Sequence, residues 1–333
     1  MTKLSRGYPA LRSVFIVGSS FCGSTVIGNV LNSHPQIFHA GEADRLSLFG
    51  RYQGVDAAYL LDSCALCGLE EHKHCPVWGN LPAAPATPQE AVALYGALMA
   101  RAGKDMALDG SKNVDWLAYL HDHGLRNTKA ILLSRNPLAF AKSHQDATGA
   151  PIWQGVETWR NIYSHTLRAL IARQIPFIAM RHADLATNPD GFYGRILEFA
   201  GVEGAVDRDH YFNFETHALG GNVSAFLRYK GFDAGRYEAR ETREGRALGP
   251  TEIEEKQARQ KRGTWQDTLW METIPDGEAG AALNMPGMSD IMSLLGYSAY
   301  DLFMAKQKWR LTHAPGTLVR DGIKFLRRNL PGA

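Results

Sequence analysis

Residues 14–35, VFIVGSSFCGSTVIGNVLNSHP, decide how the rest of the chain is read. SVFIV (13–17) is a run of β-branched and aromatic residues, as in a strand buried on both faces of a parallel sheet. STVIGNVLNS (24–33) follows with Val26, Val30 and Leu31 at helical spacing, and His34–Pro35 ends it because the residue before proline disfavours the α region. Between strand and helix, Gly18, Gly23 and Thr25 fit the phosphate-loop pattern G-x-x-x-x-G-K-[ST], but Ser24 stands in the lysine position.

The missing lysine narrows the ligand. Backbone N–H groups of such a turn, with a helix amino terminus, hold an anion with or without a lysine. In nucleoside triphosphatases the lysine faces the β- and γ-phosphates and works with Mg²⁺. Its absence argues against a γ-phosphate and for a less charged group, a phosphosulfate, held by Ser24, Thr25 and loop amides.

Four more strand-like runs follow at QIFHA (36–40), MALD (106–109), KAILLS (129–134) and PFIAM (176–180). Stretches of helical period separate them, such as PQEAVALYGALMARAG (88–103) and GVETWRNIYSHTLRALIARQ (155–174). The alternation predicts a P-loop-type three-layer α/β/α fold with a mostly parallel sheet. One domain is expected over residues 1–300, with an insertion or lid and a helical segment at 45–105. Within that span, 50–87 is loop-rich and Cys-containing, and 232–263 is dense in charge. A basic and aromatic tail occupies 301–333, read either as a solvated helix or as a peripheral contact with an anionic membrane or an acidic acceptor.

Bulk properties exclude several classes. The 333 residues are 45% hydrophobic and 21% charged, which fits a globular chain rather than a disordered or fibrous one. A formal net charge of +2 gives no global pull toward nucleic acid, so no such partner is expected. No export signal or spanning apolar run is recognised, and four cysteines suit a reducing compartment; a cytoplasmic protein is expected.

In KAILLSRNPLAFAKSHQ (129–145), Arg135 follows a strand and Ser143 falls eight residues later on a helical segment. The guanidinium offers a fork for a phosphate and the serine can reach the same group. One loop for one phosphate and this pair for another implies a bisphosphorylated nucleotide.

With both elements in place, the chain resembles the sulfotransferases that use 3′-phosphoadenosine 5′-phosphosulfate (PAPS) and release 3′,5′-diphosphoadenosine (PAP). VFIVGSSFCGSTVIGNVLNSHPQIFHAGE resembles their 5′-phosphosulfate loop, and LLSRNPLAFAKSH their 3′-phosphate motif. Similar segments continue through IPFIAMRHADLATNPDGFYGRILEFAGV (175–202), HALGGNVSAFLR (217–228) and TWQDTLW (264–270). The resemblance implies a bacterial-type transferase of a sulfuryl group to a hydroxyl or amine of a carbohydrate, lipid or small molecule. It implies nucleotide contacts from Gly18, Ser19, Ser20, Phe21, Cys22, Gly23, Ser24, Thr25, Arg135, Ser143, Asn222 and Arg228. Many members carry Lys or Arg at the position of Phe21, and Lys112 in ALDGSKNVDWL is the candidate to replace that charge. Glu42 is the candidate general base, with Asp44 and His39 as alternatives.

No metal ligand is assigned, although Cys64, Cys67 and Cys75 with His72 or His74 have knuckle-like spacing. A lid role without metal is the competing reading of that cluster. Two other functions compete with sulfuryl transfer. One is a kinase or ATPase with a degenerate loop, in which Asp109 would bind the metal, and the other is a nucleotide-binding relative without activity. Oligomeric state is not legible.

Overall fold

The computed structural model describes residues 11–46, 64, 67, 75–79, 85, 87–226, 228–229, 251 and 268–313. The chain forms two compact units, one of Met1–Ser134 with His165–Trp265 and one of Arg135–Ser164 with Gln266–Ala333.

The first unit is built on β1 (Arg12–Gly18), β2 (Ile37–Gly41), β3 (Met106–Lys112), β4 (Thr128–Ser134) and β5 (Phe177–Arg181). Their order is β2-β3-β1-β4-β5 and every pairing between them is parallel, as the five apolar runs predict. Alternating side chains of β1 enter opposite layers. Val14 and Ile16 join one core with α1 (Ser24–Leu31) and the helix Pro189–Ala200, through Ile27, Val30, Phe192 and Ile196. Phe15 faces the other way, its ring 5.7 Å from that of Tyr95 on the helix Pro88–Ala102. Helices on both faces make the sheet a closed apolar layer, so only its strand ends are open to polar chemistry.

Local signals set the helix bounds. Thr87 caps the helix Pro88–Ala102 by accepting from the Glu90 amide at 3.3 Å, and Asn113 caps Val114–Asp122 by accepting from the amides of Asp115 and Trp116. The long helix Ile152–Ala172 begins three residues before the GVETW stretch that signals it, and it runs through the boundary between the units.

The second unit is helical among its described residues. Pro137–Thr148 opens on the Asn136 cap and on Pro137, whose missing N–H costs nothing at a helix start. Leu269–Thr273, Asp276–Leu283, Met288–Leu294 and Ala299–His313 complete it. The indole of Trp159 donates to the Arg135 carbonyl at 2.9 Å and stands edge-on to Tyr297. The helix Ala299–His313 covers the first part of the expected tail, and it buries Leu302 and Lys306. Residues 314–333, the charged segment 232–263 apart from Thr251, Thr264–Asp267, His72 and His74 lie outside the described residues.

Candidate active site

The phosphate loop leaves β1 at Gly18 and enters α1 at Ser24. Its backbone is held in an unusual shape: Phe21 has φ 63° and Gly23 has φ 90°. A β-carbon on Gly23 would lie 2.9 Å from the His182 ring, so glycine answers both the dihedral and the space. No side chain caps α1, and its first turn carries no acidic residue. The amide groups at its start are therefore disposed toward an anion. Ser19, Cys22, Ser24 and Thr25 are buried, while Phe21 is 46% exposed. Burial raises the Cys22 thiol above its usual range, which keeps it protonated and unreactive.

Strand register places the charges. Lys112, the last residue of β3, is paired with Val17, one residue before the loop begins. It adopts φ 65°, a left-handed conformation that costs a non-glycine residue about 1–2 kcal/mol. Its Nζ lies 2.6 Å from Glu42 Oε1, just past the end of β2. Arg45 holds the other oxygen, with Nη2 at 2.8 Å and Nε at 3.0 Å from Oε2. Burial pushes the Glu42 carboxyl upward, but Lys112 and then Arg45 outweigh it and hold the group below the usual carboxylate range.

The two alternative bases have different surroundings. Asp44 accepts from Asn113 Nδ2 at 3.1 Å, and burial raises its carboxyl. His39 is wholly buried against Gly28 and Gly110, with Nδ1 3.1 Å from Asn29 Oδ1. Burial lowers its pKa to about 3, so the imidazole is neutral and enclosed, a packing residue of the core. Asp109 is enclosed too, since Oδ2 accepts from Tyr95 Oη and Oδ1 from the Ser111 amide at 2.7 Å. With both oxygens engaged inside the core, it is poorly suited to bind Mg²⁺ at the loop.

Residues 217–222 close over the end of β2 and the start of α1. Leu219 donates from its amide to the Ala40 carbonyl at 2.9 Å and accepts from the Glu42 amide at 2.6 Å. The Asn222 amide donates to Thr25 Oγ1 at 3.0 Å, and a β-carbon on Gly221 would lie 2.9 Å from the Thr25 methyl. Asn222 is thus brought to the loop. Arg228 is placed over the Phe212 ring, its guanidinium carbon 3.8 Å from the centroid. In the second unit, Arg135 Nη1 donates to Ser143 Oγ at 3.0 Å, so the predicted fork and hydroxyl form one preassembled group.

Sequence reasoning missed three participants. Arg45 is overlooked because a lone arginine three residues after Glu42 has no distinctive spacing. His182 carries one signal, its position directly after β5 in a segment of family resemblance. His217 opens another such segment, but no local pattern links it to Cys64, Cys67 and Cys75, which it lies beside although they come more than 140 residues earlier in the chain.

The sequence profile of the sulfotransferase family matches residues 13–207, more than half of the chain, and the protein belongs to that family. Among solved structures, the sulfotransferase domain from the curacin biosynthetic pathway is similar with a TM-score of 0.51 and 17% identity. That match covers 86% of this chain and 98% of the other. The sulfotransferase domain from the Synechococcus PCC 7002 olefin synthase gives 0.47 and 17%, over 77% and 97% of the two chains. Sulfotransferase STF9 from Mycobacterium avium gives 0.39 and 14%, over 69% and 75%. A search among curated proteins found no match.

Proposed function

We propose that the protein transfers a sulfuryl group from PAPS to a hydroxyl or amine acceptor. The observation that carries this reading is the register of Lys112 against Val17, which brings a lysine to the mouth of a phosphate loop that lacks its own. PAPS, when bound, supplies the sulfuryl group and a bisphosphorylated leaving group. The loop amides, Ser24 and Thr25 would hold the 5′-phosphosulfate, and Arg135 with Ser143 the 3′-phosphate. The preassembled Arg135 group, the uncapped α1 and the polar loop fit such a ligand.

Lys112 would offset the negative charge that develops on a bound donor, a task that needs position more than covalent participation. At rest it is bound to Glu42. Drawing Lys112 toward the donor would remove the larger of the two cationic influences on Glu42 and raise its proton affinity. Glu42 would then accept the acceptor's proton when the donor is in place, which couples base strength to occupancy. Engagement of both Asp109 oxygens counts against the kinase or ATPase alternative.

Carbohydrate, lipid and small-molecule acceptors all fit this chemistry, in a cytoplasmic setting. A lipid surface suits the helix Ala299–His313, which exposes Tyr300, Phe303, Met304 and Leu311 near Lys308. Among the described residues no helix is long and apolar enough to cross a membrane.

Calorimetric binding of PAP, with ATP and ADP plus Mg²⁺ as comparators, tests the donor assignment. Metal-independent binding of PAP that is lost in Arg135→Ala supports it. Preference for Mg-ATP overturns it.

A further inference from the structure

We propose that Cys64, Cys67, Cys75 and His217 form a closed tetrahedral site for a single zinc ion. Their ligand atoms all lie within 4.8 Å of one another. His217 Nδ1 is 3.7 Å from Cys64 Sγ, 3.5 Å from Cys67 Sγ and 3.5 Å from Cys75 Sγ, and the sulfurs of Cys75 and Cys64 are 3.8 Å apart. A tetrahedron with Zn–S near ~2.3 Å and Zn–N near ~2.0–2.1 Å has edges of about 3.8 Å between sulfurs and about 3.6 Å between sulfur and nitrogen. The observed edges reproduce those values. A disulfide is excluded at this spacing, because it requires about 2.05 Å, and all the cysteines are free.

The surroundings complete the site. His217 Nε2 is 2.7 Å from Glu215 Oε1, which fixes the tautomer with its proton on Nε2 and leaves the Nδ1 lone pair directed at the sulfurs. A carboxylate behind the histidine is the usual support of a zinc-bound imidazole. The Trp78 amide points at Cys75 Sγ at 3.4 Å, and the Trp78 indole donates to the His217 carbonyl. Cys64, Cys75 and His217 are buried, and the partly exposed Cys67 provides an entry route. Three thiolates and one imidazole are soft donors that select zinc over Mg²⁺ or Ca²⁺, and four protein ligands leave no open position for catalysis. Binding would displace the thiol protons to solvent as the thiolates form.

The site is tied to the rest of the unit. Two residues beyond His217, Leu219 bridges both Gly41 and Cys64 and accepts from the Glu42 amide. Asn222 then meets Thr25. Zinc therefore fastens the segment that supports the candidate base and the phosphate loop. Among the described residues, His217 supplies the nitrogen ligand.

The test is the metal content of the full chain, purified without an affinity tag or chelator. About one zinc per chain is expected, together with the intense visible absorption of tetrahedral thiolate-bound cobalt when Co²⁺ replaces it. Cys67→Ser and His217→Ala should lose the metal. Glu215→Gln, an exposed second-layer change that keeps the fold, should weaken Co²⁺ binding roughly 10–100-fold. A folded full-length protein without zinc that gives no such cobalt spectrum overturns the proposal, as does stoichiometric iron in its place. Metal content is read without any assay of turnover, so the site stands or falls apart from the donor assignment.

Discussion

Glu42 in the sheet unit sits between Lys112 and Arg45, and Asp276 in the helical unit sits between Lys306 and Arg310. The contacts are nearly the same: Lys112 is 2.6 Å from Glu42, Lys306 is 2.7 Å from Asp276, and each arginine lies 2.7–2.8 Å from the second oxygen. The settings differ. Lys306 rises from a regular helix, is 1% exposed and also donates to the Ile274 carbonyl. Lys112 ends a strand in a strained conformation beside the glycine loop. The lysine at the strand end therefore carries backbone strain that the lysine of the helical pair does not.

The comparison breaks if the two lysines behave alike. Lys112→Met should lower turnover by roughly 10²–10³, as loss of one charge-stabilising donor does, and should also lower the thermal midpoint because Glu42 keeps only Arg45. Steady-state rates beside a melting curve separate these readouts. Lys306→Met should cost about 2–3 kcal/mol in denaturant unfolding, less than a wholly buried pair because Asp276 retains Arg310 and some water. Turnover per folded molecule should be unchanged there.

The arginines sharpen the contrast. Both carboxyls are held below the usual range; burial opposes this in each, and Lys112 with Arg45, or Lys306 with Arg310, prevails. A folded pKa below the unfolded value contributes stability above about pH 4, and that contribution is lost as the pH falls through the folded value. Acid should therefore weaken both triads, and neutral pH neither. Arg45→Gln removes one cation from Glu42, so the acid limb of the pH–rate profile should move to higher pH. Arg310→Gln should cost no more than about 1 kcal/mol, within the range of partly solvated pairs, and leave that profile in place.

Much of the fold is legible because strands such as β1 and β4 are short apolar runs, and burial on both faces requires such runs. Asp276–Leu283 and Met288–Leu294 are not legible, since GEAGAAL and SDIMSL are too short to display a period. In the candidate site, the loop and the Arg135/Ser143 pair are readable as local spacings. The Glu42–Lys112 contact joins residues 70 apart, and no local pattern encodes it. Lys112 and Glu42 can each be placed at a strand end from sequence, but only the insertion of β3 between β1 and β2 brings them together. The same limit hides His217: knuckle spacing among the cysteines points to His72 and His74, while the chain returns a histidine from the far side of the sheet sequence.

Leu219 also sets a timetable. The amide of Glu42 waits for a carbonyl that is synthesised much later, after all five strands. At about 5–20 residues per second, a nascent chain would carry the first strand and its glycine turn for roughly ten to some tens of seconds before that partner exists. During that interval the N-terminal half lacks both the carbonyl that accepts from the Glu42 amide and the histidine that meets its cysteines. A truncated product released early would thus present an open sheet end to quality control.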